Sequence, residues 1–177
     1  RLTQMSLGRR VGRSALSIVS AIIVSRCSAS STFCSATVAW ADGIVAARPG
    51  FTALEPVRGV RAARAAVRDR HPDLVICDVY LPDGDDIAFV AEIDVDAIVI
   101  SAASDGATVR RALRAGALDY LIKPFDPGML GERLDAYRRF RNLAAEDRPL
   151  DQQTIERAQR VLYARDSGAA PVSRSTT

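Results

Sequence analysis

The chain has 177 residues, of which 48% are hydrophobic and 25% are charged, and its formal net charge is +3. This length and balance are typical of one globular domain with tails, and they exclude a fibrous or strongly charged disordered chain. The arginines are spread along the sequence, so composition alone does not indicate nucleic-acid binding. The three cysteines lack the spacing of metal ligands, and Cys77 is predicted to be a buried strand residue in a reducing compartment.

The N-terminal segment differs in composition from the rest. Residues 1–41 contain no acidic residue, five arginines and nine serines, and residues 15–24 are mostly apolar. A basic start before a short apolar stretch is typical of targeting segments, and this stretch is too short and too rich in serine to span a membrane. The jump in composition after this segment favours another interpretation, and we predict that residues 1–36 are a disordered or non-native segment, as a frameshift or a wrongly chosen start would produce.

After this segment, helical and strand patterns alternate along the chain. Continuous apolar runs bounded by turn residues predict strands that are buried on both faces, as in a parallel sheet covered by helices. The alternation predicts an α/β fold with a central parallel sheet. The predicted strands are 51–57, 74–77, 97–101 and 120–122; the predicted helices are 36–47, 58–70, 85–93, 106–115, one that begins at 127, and 151–165.

Three of the predicted strands lead into polar side chains. Asp78 follows the first of these apolar runs, Ser101 the second, and Lys123, the only lysine of the chain, the third. Open α/β sheets bind ligands at the carboxyl ends of their strands. A carboxylate there can attack phosphorus, while an ammonium and a hydroxyl group hold the phosphoryl oxygens. The sequence therefore predicts a phosphoryl-accepting site at this edge of the sheet.

Each of these residues also has an ordinary structural interpretation. An Asp after an apolar run is more often a turn or helix-capping residue, and a Lys-Pro pair can simply end a strand. The three residues in order, with helices between them, favour the shared phosphate site.

The runs 74–84 (LVICDVYLPDG) and 119–125 (DYLIKPF) resemble those of response-regulator receiver domains, and the resemblance covers residues 49–142. The motif 78–84, with Pro49-Gly50-Phe51 before it and Leu150-Asp151-Gln152 after it, is most similar to the citrate and dicarboxylate-sensing transcriptional regulators. The resemblance implies a three-layer, flavodoxin-like fold with a central parallel sheet, followed by a C-terminal helical stub.

The resemblance also implies roles for individual residues. Asp78 would be the phosphoacceptor, Ser101 the switch hydroxyl, Lys123 the phosphoryl contact and Tyr120 the aromatic side chain that follows the switch. Magnesium would be bound by Asp78 and by the backbone carbonyl of Tyr80.

Two departures from the family pattern affect these expectations. Family spacing places the acidic residues after the first strand at Thr32-Phe33-Cys34, and none of these is acidic. The first strand is therefore not identified, and Mg²⁺ binding is expected to be weak or absent. The predicted helix 85–93 is also shorter than the family usually has.

By the same resemblance, residues 37–142 form the receiver domain, 143–150 a linker, 151–166 the truncated start of a DNA-binding output domain and 167–177 a disordered tail. The expected function is that of a cytoplasmic phosphoacceptor, not an enzyme, which a histidine kinase phosphorylates on Asp78 to control transcription. A homodimer is possible, the chain itself is not expected to bind DNA, and no membrane contact is expected.

Two alternatives remain open. A degenerate pseudo-receiver would keep the fold as a phosphorylation-independent interaction module. A phosphatase that works through an aspartyl phosphate usually has a second Asp two residues after the nucleophile, where this chain has Tyr80.

Overall fold

The computed structural model describes residues 19–25, 32–79, 85–144 and 149–163. Within these ranges, five strands alternate with five helices and a sixth helix follows. The strands are β1 Val19–Ser25, β2 Phe51–Arg58, β3 Leu74–Val79, β4 Asp96–Ser101 and β5 Ala117–Ile122. The helices are α1 Thr32–Ala46, α2 Val60–Arg70, α3 Asp85–Glu92, α4 Gly106–Arg114, α5 Pro127–Ala144 and α6 Gln152–Tyr163.

The five strands form one parallel sheet in the order β2-β1-β3-β4-β5. In doubly wound sheets of this order, the chain reverses its direction of winding between β1 and β3, and the crevice at the carboxyl ends of these strands binds ligands. The predicted parallel α/β sheet is confirmed.

Helices cover both faces of the sheet. Side chains of α1, α5 and α6 pack on one face, and side chains of α2, α3 and α4 pack on the other. In β3, Leu74 and Ile76 belong to the first of these clusters, whereas Val75 and Cys77 belong to the second. This burial on both faces explains why the strand is continuously apolar.

The disorder predicted for the N-terminal segment is wrong for residues 19–25. These residues form β1, an inner strand that pairs with both β2 and β3. Ile22 and Val24 pack on the α2 face, while Ala21 and Ile23 pack on the α1 face, which is the two-residue period of a strand. Helix α1 also begins at Thr32, before the predicted domain boundary at residue 37. Residues 1–18 and 26–31 lie outside the described residues.

Helix α3 has eight residues and is short, as the predicted helix 85–93 is, yet it packs on the sheet. Ile87, Phe89 and Val90 are buried, and they belong to one hydrophobic cluster with residues of α2 and α4. The Arg64 guanidinium of α2 binds the Glu92 carboxylate of α3 through two hydrogen bonds, of 2.8 and 2.9 Å. The short helix is therefore tied to α2 at the surface as well as to the sheet.

The C-terminal region differs from its predicted boundaries. Helix α5 continues to Ala144, and α6 packs against it, so α6 belongs to the core on the α1 and α5 face of the sheet instead of standing apart. Residues 145–148 of the predicted linker and the predicted tail 167–177 are outside the described part of the chain. None of the helices in the described ranges is long and apolar enough to cross a membrane.

The opposite end of the sheet, at the amino ends of β3 and β4, is fixed by a polar network. The Tyr137 hydroxyl oxygen lies 2.8 Å from the Asp73 carbonyl oxygen and 2.9 Å from Asp96 Oδ2. Arg141 contacts the same hydroxyl and donates to Asp73 Oδ1. Burial raises the pKa of Asp96 above its ordinary value, although the hydrogen bond from Tyr137 acts in the opposite direction. This network attaches α5 to two strands at once.

Candidate functional site

The sheet brings Asp78, Ser101 and Lys123 to its carboxyl edge. Asp78 lies near the end of β3, Ser101 ends β4, and Lys123 directly follows β5. The pairing registers align Asp78 with Ile100, and Ser101 with Ile122. The predicted grouping of the three residues at one edge is thus present in the structure.

Asp78 and Lys123 are in direct contact. Lys123 Nζ donates to Asp78 Oδ1 across 2.7 Å, and the side chains are 26% and 11% exposed for Lys123 and Asp78, respectively. This is a charge-assisted hydrogen bond at the short end of the usual range. Within the described part of the chain, Lys123 is the only partner of the Asp78 carboxylate, so Oδ2 has no donor there. The pair is partly shielded from solvent, and Asp78 more so than Lys123.

Ser101 is almost completely buried, with 1% of its surface exposed. Its Oγ accepts a hydrogen bond of 3.1 Å from the Ala103 amide, and its carbonyl oxygen accepts one of 2.8 Å from the Lys123 amide. The backbone of Lys123 is therefore tied to the end of β4, and this places its side chain above Asp78. The peptide bond between Lys123 and Pro124 is cis.

Tyr120 contacts the same short loop as Ser101. Its hydroxyl group donates to the Ala103 carbonyl oxygen across 2.8 Å, and its ring packs with the α4 face of the sheet. Both groups of Ala103 are thus engaged, the amide by Ser101 and the carbonyl by Tyr120. The role of Ala103 could not be predicted from its residue type, because only its backbone atoms take part.

The magnesium ligands predicted for this edge are only partly present among the described residues. Tyr80 lies outside them, and Asp78 is already paired with Lys123. The strand that should supply acidic residues beside Asp78 is β1, where Ser25 is the residue aligned with Asp78. The search over the described ranges finds no group of three His, Cys, Asp or Glu that could hold a metal ion. A hard cation such as Mg²⁺ needs oxygen ligands, so this donor set does not fit it.

The structure corrects the place in the chain where the acidic residues of the family would be expected. Family spacing placed them at 32–34, but these residues begin α1, and the strand ends seven or more residues earlier, at Ser25. No acidic residue is available at either place, because the sequence has none before Asp42. The expectation of weak or absent magnesium binding therefore stays a prediction with a new structural basis.

Comparison with known proteins agrees with this fold. The family model for the response regulator receiver domain matches residues 36–135. The transcriptional regulatory protein CitT of Halalkalibacterium halodurans is 36% identical over 105 residues, which are 56% of this chain and 46% of that protein. The probable C4-dicarboxylate response regulator DctR of Bacillus subtilis is 36% identical over 95 residues, 51% of this chain and 42% of that protein. These relatives confirm the predicted likeness to the citrate and dicarboxylate regulators.

Solved structures show the same fold. A response regulator from Thermotoga maritima superimposes with a TM-score of 0.57 at 23% identity, covering 68% of this chain and 98% of that one. A two-component response regulator from Clostridium difficile gives a TM-score of 0.58 at 18% identity, covering 68% and 96%. The chain spans about half the length of the curated relatives that it matches. The family match, the shared fold and the strand-edge residues agree, and the chain belongs to the response regulator receiver domain family.

Proposed function

We propose that Asp78 is the phosphoacceptor of this receiver domain and that a histidine kinase supplies the phosphoryl group. The proposal rests above all on the 2.7 Å contact between Lys123 Nζ and Asp78 Oδ1 at the carboxyl edge of the sheet. It makes the chain a signalling protein, not an enzyme that turns over a substrate.

In the proposed reaction, a carboxylate oxygen of Asp78 attacks the phosphorus atom of a phosphohistidine. The new O–P bond forms as the N–P bond breaks, and the imidazole nitrogen leaves. Asp78 Oδ2 supports this role because no described donor occupies it. The Lys123 ammonium, which now neutralises the carboxylate, would then contact the phosphoryl oxygens.

The switch residues are proposed to respond to this charge. Ser101 Oγ now accepts from the Ala103 amide, and a phosphoryl oxygen on Asp78 offers its hydroxyl group a stronger, charged acceptor. Turning toward it would release the Ala103 amide. Tyr120 holds the carbonyl group of the same residue, so its hydroxyl contact would change with the loop.

The metal requirement is proposed to be weak. The described donors do not fit Mg²⁺, and we expect Lys123 to be the principal positive charge near Asp78. Phosphorylation should therefore be slow and should depend little on the magnesium concentration.

The biological setting is part of the proposal. The relatives are named as transcriptional regulators and as C4-dicarboxylate response regulators. We propose that this receiver likewise acts in the cytoplasm in the control of transcription, with a citrate-like or dicarboxylate signal upstream of its kinase.

The test is intact-mass spectrometry of the purified chain after incubation with acetyl phosphate, with and without magnesium. We expect a gain of one phosphoryl group that is lost in Asp78→Asn and kept in Asp94→Asn, which makes the same change at an exposed carboxylate on the loop before β4. Lys123→Arg should fold and should label poorly, because a planar guanidinium does not replace a compact ammonium. Equal labelling of the Asp78→Asn variant would move the acceptor elsewhere, and no labelling of folded wild-type protein would refute the proposal.

A further inference from the structure

Helix α6 is built into the receiver through one of its faces. Ala158 and Leu162, one turn apart, are 4% and 9% exposed, whereas Tyr163 beside them is 60% exposed. Leu162 belongs to the same core cluster as Tyr137 of α5 and Leu121 of β5. The rest of α6 is largely exposed, so the helix is held mainly by this stripe and its contact with α5.

The place that Leu162 occupies depends on an irregularity in β5. Along β4, Ala97 pairs with Ala117 and the next residue, Ile98, pairs with Asp119, so Leu118 is an additional residue in the edge strand. Such a bulge lets two successive side chains lie on the same face of a sheet. Leu118 and Asp119 accordingly both line a small crevice, which we call the α6 seat; its other lining residues are Ile98, Arg133, Tyr137 and Leu162.

Asp119 joins the α6 seat to the switch aromatic. Its Oδ1 accepts a hydrogen bond of 2.8 Å from the amide of Tyr120. Its Oδ2 lies 2.9 Å from Arg133 Nε of α5, an ion pair that lacks the alignment of a hydrogen bond. The side chains of Asp119 and Arg133 are 26% and 16% exposed, and Leu162 of α6 lines the same crevice as both of them. Coulombic attraction between them is stronger when water is excluded.

We propose that α6 is an intramolecular ligand of the receiver and that its docking in the α6 seat is coupled, through Asp119, to the position of Tyr120. When α6 leaves, water reaches the ion pair, Asp119 is held less firmly, and the Tyr120 amide loses a fixed acceptor. Coupling between two sites is reciprocal, so a change at Tyr120 alters the docking of α6 by the same factor. The regulatory meaning of this coupling rests on the proposed function, because that function makes Tyr120 the switch aromatic.

The experiment uses the full chain without a phosphodonor and compares Leu162→Glu with Tyr163→Glu. The two variants place the same charge on adjacent residues, one in the α6 seat and one in solvent. NMR hydrogen exchange follows the amides of Arg157 and Ala158, and the amide chemical shift of Tyr120 follows the switch side. In Leu162→Glu, the α6 amides should exchange about ten- to a hundredfold faster, as expected for losing one buried leucine, and the Tyr120 amide should shift. Tyr163→Glu should change neither.

If the α6 amides exchange at an unchanged rate in Leu162→Glu, α6 is not held by the α6 seat. If they exchange faster but the chemical shift of the Tyr120 amide does not change, docking is not coupled to Tyr120. Either result overturns the inference. The milder Leu162→Ala repeats the test with a smaller expected change if the charged variant disturbs the core. Because no phosphodonor is used, failure here is distinguishable from failure of Asp78 to accept a phosphoryl group.

Discussion

Replacing Tyr137 by Phe removes one oxygen atom from the amino end of the sheet and leaves the packed ring in place. The side chain is 1% exposed, and its oxygen contacts the Asp73 carbonyl and the Asp96 carboxylate at 2.8 and 2.9 Å. Its single proton serves one of these acceptors at a time. A hydrogen bond to a charged group contributes about 1.5–3 kcal/mol to stability. We therefore expect the free energy of unfolding at neutral pH to fall by about 2 kcal/mol.

The loss of stability in Tyr137→Phe should depend on pH, because burial already raises the pKa of Asp96 above its ordinary value of 3.8. An acid with a raised pKa binds protons more tightly in the folded state, so the free energy of unfolding decreases as pH rises through the interval between the unfolded and folded pKa values. Tyr137 opposes this shift, and Tyr137→Phe should raise the pKa of Asp96 further. The destabilisation should thus be small in acid, where Asp96 is protonated, and reach its full size at neutral pH.

Urea unfolding followed by circular dichroism, at about pH 3, which is below the ordinary pKa of Asp96, and at about pH 8, measures both effects. Tyr163→Phe is the matched control, since it makes the same change on an exposed side chain and should leave stability unchanged. If Tyr137→Phe were no less stable than this control, or lost equal stability at both pH values, the assigned roles of the hydroxyl group and of Asp96 would be wrong.

Two further predictions concern backbone conformation and a surface ion pair. Gly43 lies inside α1 with no atom within 4 Å of an added Cβ, whereas Gly116 is equally open but has a φ of +105°. Gly43→Ala should therefore raise the free energy of unfolding by about 0.5–1 kcal/mol, and Gly116→Ala should lower it by about 1–2 kcal/mol. Equal effects of the two variants in urea titrations would contradict the role of φ. Arg64 and Glu92 are joined by two hydrogen bonds, but both side chains are about half exposed. A double-mutant cycle should therefore give a coupling free energy below about 1 kcal/mol, and this coupling should decrease in high salt. A larger coupling that does not depend on salt would show that the pair is effectively buried.

The sheet edge could be predicted from the sequence because its signals are local. Apolar runs that end at Asp78, Ser101 and Lys123 give both the strands and the polar residues after them, and Asp105 caps α4 by accepting from the Thr108 amide. The same carboxylate has a lowered pKa because of hydrogen bonds from Thr108. Such contacts span only a few residues, so the residue types alone indicate them.

Other features depend on partners that are distant in sequence. Strand β1 was missed because its serines and the arginines before it are typical of a targeting segment, and only pairing with β2 and β3 makes 19–25 a strand. The bulge at Leu118 has no residue signal of its own, and the apolar side chains of Leu113 and Met129 are 48% and 39% exposed although both lie on helices that pack on the sheet. A helical period shows that two residues share a face, but the extent of their burial is set by the neighbouring elements.

The inner position of β1 has a practical consequence for fragments of this protein. The family match begins at residue 36, so a fragment cut there would keep Asp78, Ser101, Tyr120 and Lys123. It would nevertheless lack the strand that separates β2 from β3. Both would then expose unpaired backbone edges, the kind of surface through which sheets of different molecules join. The smallest unit that preserves the site is therefore longer than the part of the chain that identifies it, and it begins no later than Val19.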